Sequence, residues 1–253
     1  MSLGKSPPKN FMNTLAIIPA RGGSKRIPHK NIKLLNGKPL FVYTIEAALQ
    51  SKKITHTVLS TDDKGIADIA AKAGLQNIII RPAELATDEA SVIPVLEHAV
   101  TTFGGKHGKI HNVVLLNPTS PLRTSAHIDE ALRFFEKSGF DTLLSLCQSP
   151  DFFWRKSNMM LYPLNYDIKH RPRKQDYFPG YKENGAIYIA KRDFLMEYHN
   201  FLGGLIGCYV MPVEYSIDID TSFDFWLCEQ IIKNKEYIEQ IRTPIRKAGY
   251  REG

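Results

Sequence analysis

The chain contains no long apolar run. Nothing in its 253 residues approaches the roughly 18 apolar positions that a membrane-spanning helix needs. The longest runs, such as Val113 to Leu116, read as short buried strands, and no membrane partner is expected. Cysteine is scarce: Cys147, Cys208 and Cys228 lie far apart and form no C-x-x-C pair. An odd count argues against a disulfide framework and for a reducing, cytoplasmic setting. The eight histidines are scattered without zinc-ligand spacing, and no nucleophile triad can be read. Walker A and G-x-G-x-x-G are both missing, so neither standard nucleotide fingerprint applies. There is no internal repeat and no long low-complexity tract. Hydrophobic residues make up 43% and charged residues 23%, which excludes collagen-like, mucin-like and wholly disordered chains.

What is present is a basic balance, 33 − 26 = +7. It points to anionic partners: nucleic acid, a membrane surface or phosphorylated small molecules. No recognised nucleic-acid signature accompanies it, so nucleic acid is not the expected partner. Met1-Ser2-Leu3-Gly4 reads as an expression remnant, and Lys5 to Lys9 lacks the apolar core of a signal peptide. Residues 1–13 are set aside as a leader, 14–241 as one domain, and 242–253 as a loose basic tail.

Strand and helix patterns alternate along the first 146 residues. Thr14 to Ile18 reads as a strand ended by Pro19, with a Gly-rich basic loop behind it. Leu40 to Gln50 has helical spacing, with Pro39 at its first position. Then follow a strand at His56 to Ser60, a helix from Asp63 to Ala73 stopped by Gly74, and a strand at Asn77 to Ile80. A helix over Ser91 to Phe103 is expected to stop at Gly104-Gly105. A strand at Val113 to Leu116, a helix over Ala126 to Lys137 and a strand at Thr142 to Leu146 complete the series. This predicts an α/β fold with a mainly parallel sheet covered on both faces. Ligands on such sheets bind beyond the carboxyl ends of the strands. Residues 148–183 break the pattern with four prolines, many aromatics and the basic cluster Lys169, His170, Arg171, Arg173 and Lys174, and read as an insertion. Strands at Gly185 to Ala190 and Leu205 to Val213 follow, then a helix over Thr221 to Lys233.

The loop after the first strand carries phosphate chemistry. Gly22 and Gly23 allow close backbone approach, and their N–H groups can form an anion-binding concavity. Arg21, Lys25, Arg26 and Lys30 place four cations within ten residues, a set suited to a polyphosphate. The bland alternative is a solvated basic loop.

Six segments resemble one family, in order along the chain. They are Ile18-Pro19-Ala20-Arg21-Gly22-Gly23-Ser24-Lys25-Arg26-Ile27-Pro28-His29-Lys30-Asn31, Ser60-Thr61-Asp62, Arg81 to Asp88, Pro118-Thr119-Ser120-Pro121-Leu122-Arg123, Asn184 to Ile189, and Ser216-Ile217-Asp218-Ile219-Asp220. Together they resemble the CMP-sialic acid synthetases (acylneuraminate cytidylyltransferases), including the CMP-legionaminic and CMP-pseudaminic acid enzymes. The 3-deoxy-octulosonate enzymes are more remote, because their opening loop differs. The resemblance implies a Rossmann-like nucleotidyltransferase that joins CTP and an acidic nine-carbon 2-keto sugar with Mg²⁺, releasing pyrophosphate. It implies nucleotide contacts at Arg21, Gly22, Gly23, Ser24, Lys25, Lys30, Asn31 and Arg81. It implies sugar contacts at Asn117, Thr119, Ser120, Arg173, Gln175 and Asn184. Arg21, Lys30 and Asp220 are the expected catalytic set. It also implies that residues 148–183 form a dimerisation arm and that the chain is a homodimer. The family often has Gln before Pro-Thr-Ser-Pro, where this chain has the shorter Asn117.

Asp218 and Asp220 are two apart, which on an extended strand puts both carboxylates on one face and makes a candidate Mg²⁺ site. The family's matching aspartates are metal-linked. Asp218-Ile219-Asp220 is also formally the D-x-D of metal-dependent glycosyltransferases. Thr221 and Asp224 have capping-box spacing, so Asp224 is expected to open the last helix. Asp62 is read either as a ligand residue or as a helix cap.

Overall fold

The computed structural model describes residues 12–87, 89–173, 176 and 180–241. In chain order the elements are β1 (Thr14–Pro19), the short hairpin β2 (Leu34–Leu35) and β3 (Lys38–Pro39), α1 (Leu40–Leu49), β4 (His56–Thr61), α2 (Lys64–Lys72), β5 (Asn77–Ile80), α3 (Val92–His107), β6 (Asn112–Leu115), α4 (Ser125–Ser138) and β7 (Thr142–Ser149). A hairpin of β8 (Trp154–Ser157) and β9 (Met160–Pro163) then precedes β10 (Gly180–Lys191), α5 (Arg192–Tyr198), β11 (Ile206–Met211), α6 (Ser222–Lys233) and α7 (Lys235–Ile241).

Seven strands form one sheet in the order β11-β7-β10-β6-β1-β4-β5. All run parallel except β10, which is antiparallel to both β6 and β7. The chain leaves β1 towards β4 and β5, then returns to place β6 on β1's other side. That reversal opens a crevice at the carboxyl end of β1. The reversed β10 brings its amino end, not its carboxyl end, to the same edge.

The central strands are buried on both faces. In β1, Ala16 and Ile18 pack into one core with α1 and α4. Leu15 and Ile17 pack into the other, with α3. Val113 and Leu115 alternate in the same way with Val114 and Leu116. This is the two-sided burial of a parallel sheet, and it explains the continuous apolar runs. Every side chain of β1 then helps to hold the position of its carboxyl end.

Several boundaries depart from the sequence reading. β7 runs on to Ser149 and β10 already starts at Gly180, so both ends of the expected 148–183 insertion pair within the central sheet. The α3 helix runs through Gly104 and Gly105 to His107, and Gly108 ends it with φ 87°. Glycine weakens a helix interior without forbidding it, and the packed face of α3 carries the helix onward. Pro39 is the N-cap of α1 with ψ 134°, not its first helical residue. Residues 216–220 form no strand, so the extended-strand premise for Asp218 and Asp220 is corrected. Residues 1–11, most of the expected leader, and the expected basic tail lie outside the described residues.

The β8–β9 hairpin stands within the 148–183 insertion. Its side chains are mostly exposed, with Met159 at 97% and Trp154 at 40%. Behind it the Arg171 guanidinium lies 4.9 Å from the Phe152 ring centre and 5.7 Å from that of Tyr166.

Candidate active site

The loops that leave the strands at one edge of the sheet surround a cavity of about 530 Å³. Arg21, Gly23, Ser24, Lys25, Arg26, Lys30 and Asn31 come to it from the loop after β1. Arg81 comes from the end of β5, Asn117 and Thr119 from the loop after β6, and Asp220 from the segment before α6.

Local bonds hold the basic loop in this form. Asn31 Nδ2 donates to the Arg21 carbonyl at 2.8 Å, and Arg21 Nη1 donates to the Thr87 carbonyl at 2.9 Å. The Gly22 amide donates to Asp62 Oδ1 at 3.1 Å. Asp62 therefore orders the loop, and it is Asp63 that caps α2, accepting from Ile66 N at 2.9 Å. Gly22 is required for close approach: a Cβ there would stand 2.7 Å from Asp63 Oδ2. Gly23 has open space around its Cβ position, so its backbone faces the cavity unobstructed.

Lys30 is the most enclosed of the loop cations. Its Nζ donates to the Ile219 carbonyl at 2.7 Å and lies 3.8 Å from Asp220 Oδ1. Burial lowers its pKa, against the opposing pull of Asp220 and Asp218. Arg26 Nη1 meets Asp220 Oδ2 at 2.7 Å. Arg81 is buried, with Nη2 on the Ser60 carbonyl at 2.8 Å. Burial lowers its pKa too, and Asp62 partly restores it.

Asp218 stands beside this cavity, outside its wall. Asp218 is exposed as a residue, yet desolvation of its carboxyl pushes its pKa up, with the Thr119 hydroxyl acting the other way and Asp220 adding to the rise. Between the two aspartates Ile219 is fully buried and donates its amide to Thr119 O at 2.8 Å, with Asp220 in the cavity wall and Asp218 beside it. Asp218 and Asp220 both act electrostatically on Lys30. The donor set is two carboxylates, and no cluster of three or more His, Cys, Asp or Glu suited to a metal occurs among the described residues. That fits Mg²⁺, which takes one or two carboxylates and completes its shell with water and phosphate oxygens. It does not fit a cation held by an all-protein cage. Asp224 closes the α6 capping box with Thr221 and also accepts from Asp220 N at 3.1 Å.

Several residues expected to touch a sugar are placed elsewhere. Asn184 is buried, its Oδ1 bonded to Ser145 Oγ at 2.6 Å and its Nδ2 to Ser216 Oγ at 2.9 Å. Ser120 is buried beneath the loop and donates to the Asn184 carbonyl at 3.2 Å. These two shape the irregularity in β10 between Glu183 and Tyr188 instead of lining the cavity. Asn117 donates to the Gly185 carbonyl at 2.9 Å from that irregular segment. Arg173 is exposed on the insertion and binds Asp176. Gln175 lies outside the described residues. Sequence reasoning named Arg26 only among the four loop cations suited to a polyphosphate, and did not select Leu85 or Thr87, although both sit in a segment quoted for the resemblance and line the cavity.

The cytidylyltransferase family model matches residues 15–248. The chain belongs to the cytidylyltransferase family. It is 34% identical over 229 residues to the N-acylneuraminate cytidylyltransferase of Escherichia coli O18:K1:H7, covering 87% of this chain and 52% of that protein. It is 36% identical over 231 residues to the CMP-N,N'-diacetyllegionaminic acid synthase of Legionella pneumophila, covering 88% and 97%. The chain thus spans about half the length of the first curated relatives it matches. Among solved structures, a CMP:2-keto-3-deoxy-manno-octonic acid synthetase complexed with CTP shares the fold, with TM-score 0.65, 18% identity, and 88% and 99% of the two chains covered.

Two outcomes follow for this cytidylyltransferase-family chain. Gly22→Ala forces Asp63 off its capping position and costs about 1 kcal/mol, the usual worth of an N-cap. Gly23→Ala leaves the fold untouched, and thermal melts separate the two. Asp218→Asn raises the melting temperature at neutral pH in EDTA, because it removes a charge that the fold penalises. The sign follows from linkage: a carboxyl with a raised folded pKa binds its proton more tightly when folded. The wild type therefore recovers stability as pH falls through that pKa, and the advantage of Asn fades there. A neutral-pH melt lower than wild type contradicts this.

Proposed function

We propose that the chain transfers a cytidylyl group from CTP to an acidic nine-carbon 2-keto sugar, giving a CMP-sugar and pyrophosphate. The carrying observation is the single cavity in which four basic loop residues, Arg21, Lys25, Arg26 and Lys30, face Asp220 and the loop after β6. The names of the relatives support the acid class, and the family match favours this reading over a D-x-D glycosyltransferase.

In this reading Arg21 and Lys25, with the open amide face at Gly23, hold the triphosphate. Arg81 and Asn31 fix the nucleoside end of the same loop cluster. Lys30, partly desolvated, bears on the charge that develops as the phosphate bond breaks; such a contact is stronger in a site that excludes water. Asn117 and Thr119 orient the sugar so that its anomeric hydroxyl attacks the α-phosphorus and pyrophosphate leaves in line. Asp218 and Asp220 are the residues that would hold Mg²⁺, which when bound supplies charge neutralisation at the α-phosphate and the leaving group. Arg26 then exchanges its contact with Asp220 for one with phosphate.

The exposed apolar side chains of the β8–β9 hairpin support a homodimer arm. Arg173 and Gln175 on the same insertion are proposed contacts for the acidic sugar, a guanidinium being suited to a carboxylate. The unpaired cysteines support a cytoplasmic setting.

The test is pyrophosphate release with each of the four nucleoside triphosphates and a panel of sialic, legionaminic and pseudaminic acids. CTP should be used well above ATP, GTP and UTP, and equal turnover of all four removes the cytidine assignment. Lys30→Ala should cost roughly 2–4 kcal/mol in kcat/KM, as for loss of one oxyanion donor; a wild-type value makes Lys30 a structural tie only.

Asp220→Asn should lose most activity and raise the Mg²⁺ concentration needed for half-maximal rate. Asp224→Asn should leave that concentration unchanged, since Asn still accepts the capping hydrogen bonds. The reverse pattern moves the metal from the segment before α6 to the helix start.

A further inference from the structure

A second cavity, of about 370 Å³, lies on the side of the molecule where α1, the start of α4, α6 and α7 meet. The catalytic reading leaves it unused. Arg123 lies on its wall and is only 2% exposed. Its Nη1 donates to the carbonyls of Ala186 at 2.8 Å and Asn117 at 3.3 Å. Its Nε and Nη2 have no hydrogen-bond partner, and no carboxylate pairs with it, among the described residues. Those two nitrogens form one edge of the guanidinium fork, the edge that takes a carboxylate or phosphate in paired hydrogen bonds. Burial alone pushes the guanidinium pKa down to about 9. A buried cation with three of its five N–H donors unmet is costly unless an anion satisfies it.

The surroundings specify the rest of the ligand. Ser125 opens α4, a 14-residue helix whose capped N-terminus faces the same space and favours negative charge. Lys235 adds a second cation at the wall. The carboxylates around the cavity are Glu46, paired with Lys38 at 2.5 Å, Glu229, which acts on Tyr43, and Glu239, which accepts from the Tyr215 hydroxyl. The wall also carries the apolar surfaces of Tyr43, Ile231 and Ile238.

We propose that this cavity is a second anion-binding site, for a small organic anion that sets a carboxylate or phosphate head against Arg123 and the first turn of α4 and lays an apolar body against Tyr43 and the isoleucines. Because Arg123 also grips the Asn117 and Ala186 carbonyls, occupancy of the site bears on the loop that lines the first cavity. The site is therefore positioned to regulate what that loop does.

Calorimetric titration of benzoate, and separately of phenyl phosphate, into the full chain tests this. One of the two should bind saturably at one site per chain and raise the melting temperature. Ser125→Glu places a like charge at the mouth of the cavity without touching the buried guanidinium, and its ligand-free melt verifies folding. It should weaken binding at least tenfold and abolish the thermal shift. Arg123→Lys keeps the charge, removes the paired edge and should also weaken binding. Unchanged affinity in Ser125→Glu, or loss of binding in Lys25→Ala instead, places the probe at the first cavity and overturns the proposal. Absence of saturable binding by both probes overturns it as well.

Discussion

The candidate site depends on where one ammonium is held. Lys30 Nζ donates to the Ile219 carbonyl across 189 residues of sequence. That bond ties the loop after β1 to the segment before α6, and it brings both aspartates near one cation. The regular structure near the bond is a short 3-10 turn at Lys30–Ile32 and another at Val213–Tyr215. What fixes the two segments is β1 at the sheet's centre and Ile219, which is buried and donates its amide to the Thr119 carbonyl in the loop after β6. The cation is held against the cost of burial because a carbonyl dipole and two carboxylates meet it together.

The sheet topology then explains why so many separate segments converge. Six parallel strands present their carboxyl ends at one edge, and the antiparallel β10 adds its irregular stretch around Asn184 and Gly185 there. A Cβ at Gly185, whose φ is 67°, would stand 3.0 Å from Asp218 Oδ2. The glycine therefore lets β10 pass close to an aspartate that packing already disfavours as an ion. Ser120 and Asn184 act one layer below. Their hydrogen bonds hold the loop after β6 against β10, so their polarity serves the shape of the wall.

Much of this was legible in the sequence. Strand and helix alternation was visible because the central strands are buried on both faces and read as short apolar runs. The basic loop was visible because its cations are contiguous. The irregular backbone of 216–220 was not, since an Ile between two Asp alternates equally well on a strand and in a tethered loop. The roles of Asp62 and Asp63 were not separable either: adjacent aspartates at a strand end carry the same local signal, and only the spatial approach of Gly22 decides between them. Nor does composition distinguish a buried Ser120 or Asn184 from a ligand contact, because both uses need the same hydrogen-bonding groups.

The charge distribution gives the last step. The chain has a +7 excess, yet at the cavity the cations are not left facing each other. Arg26 and Lys30 are drawn to Asp220, Arg81 feels Asp62, and Arg21 and Asn31 are tied to backbone carbonyls. Each of these contacts is one that an incoming polyanion can match or better, since charge-assisted bonds to phosphate are at least as strong as those to a carbonyl. The resting contacts thus hold the cations close to their working positions, at a smaller cost in ordering than free side chains would incur. Asp218 is the opposite case: its ionised form is penalised, and a cation would relieve that penalty. An anion and a cation arriving together would each satisfy the part of the site that the other leaves strained.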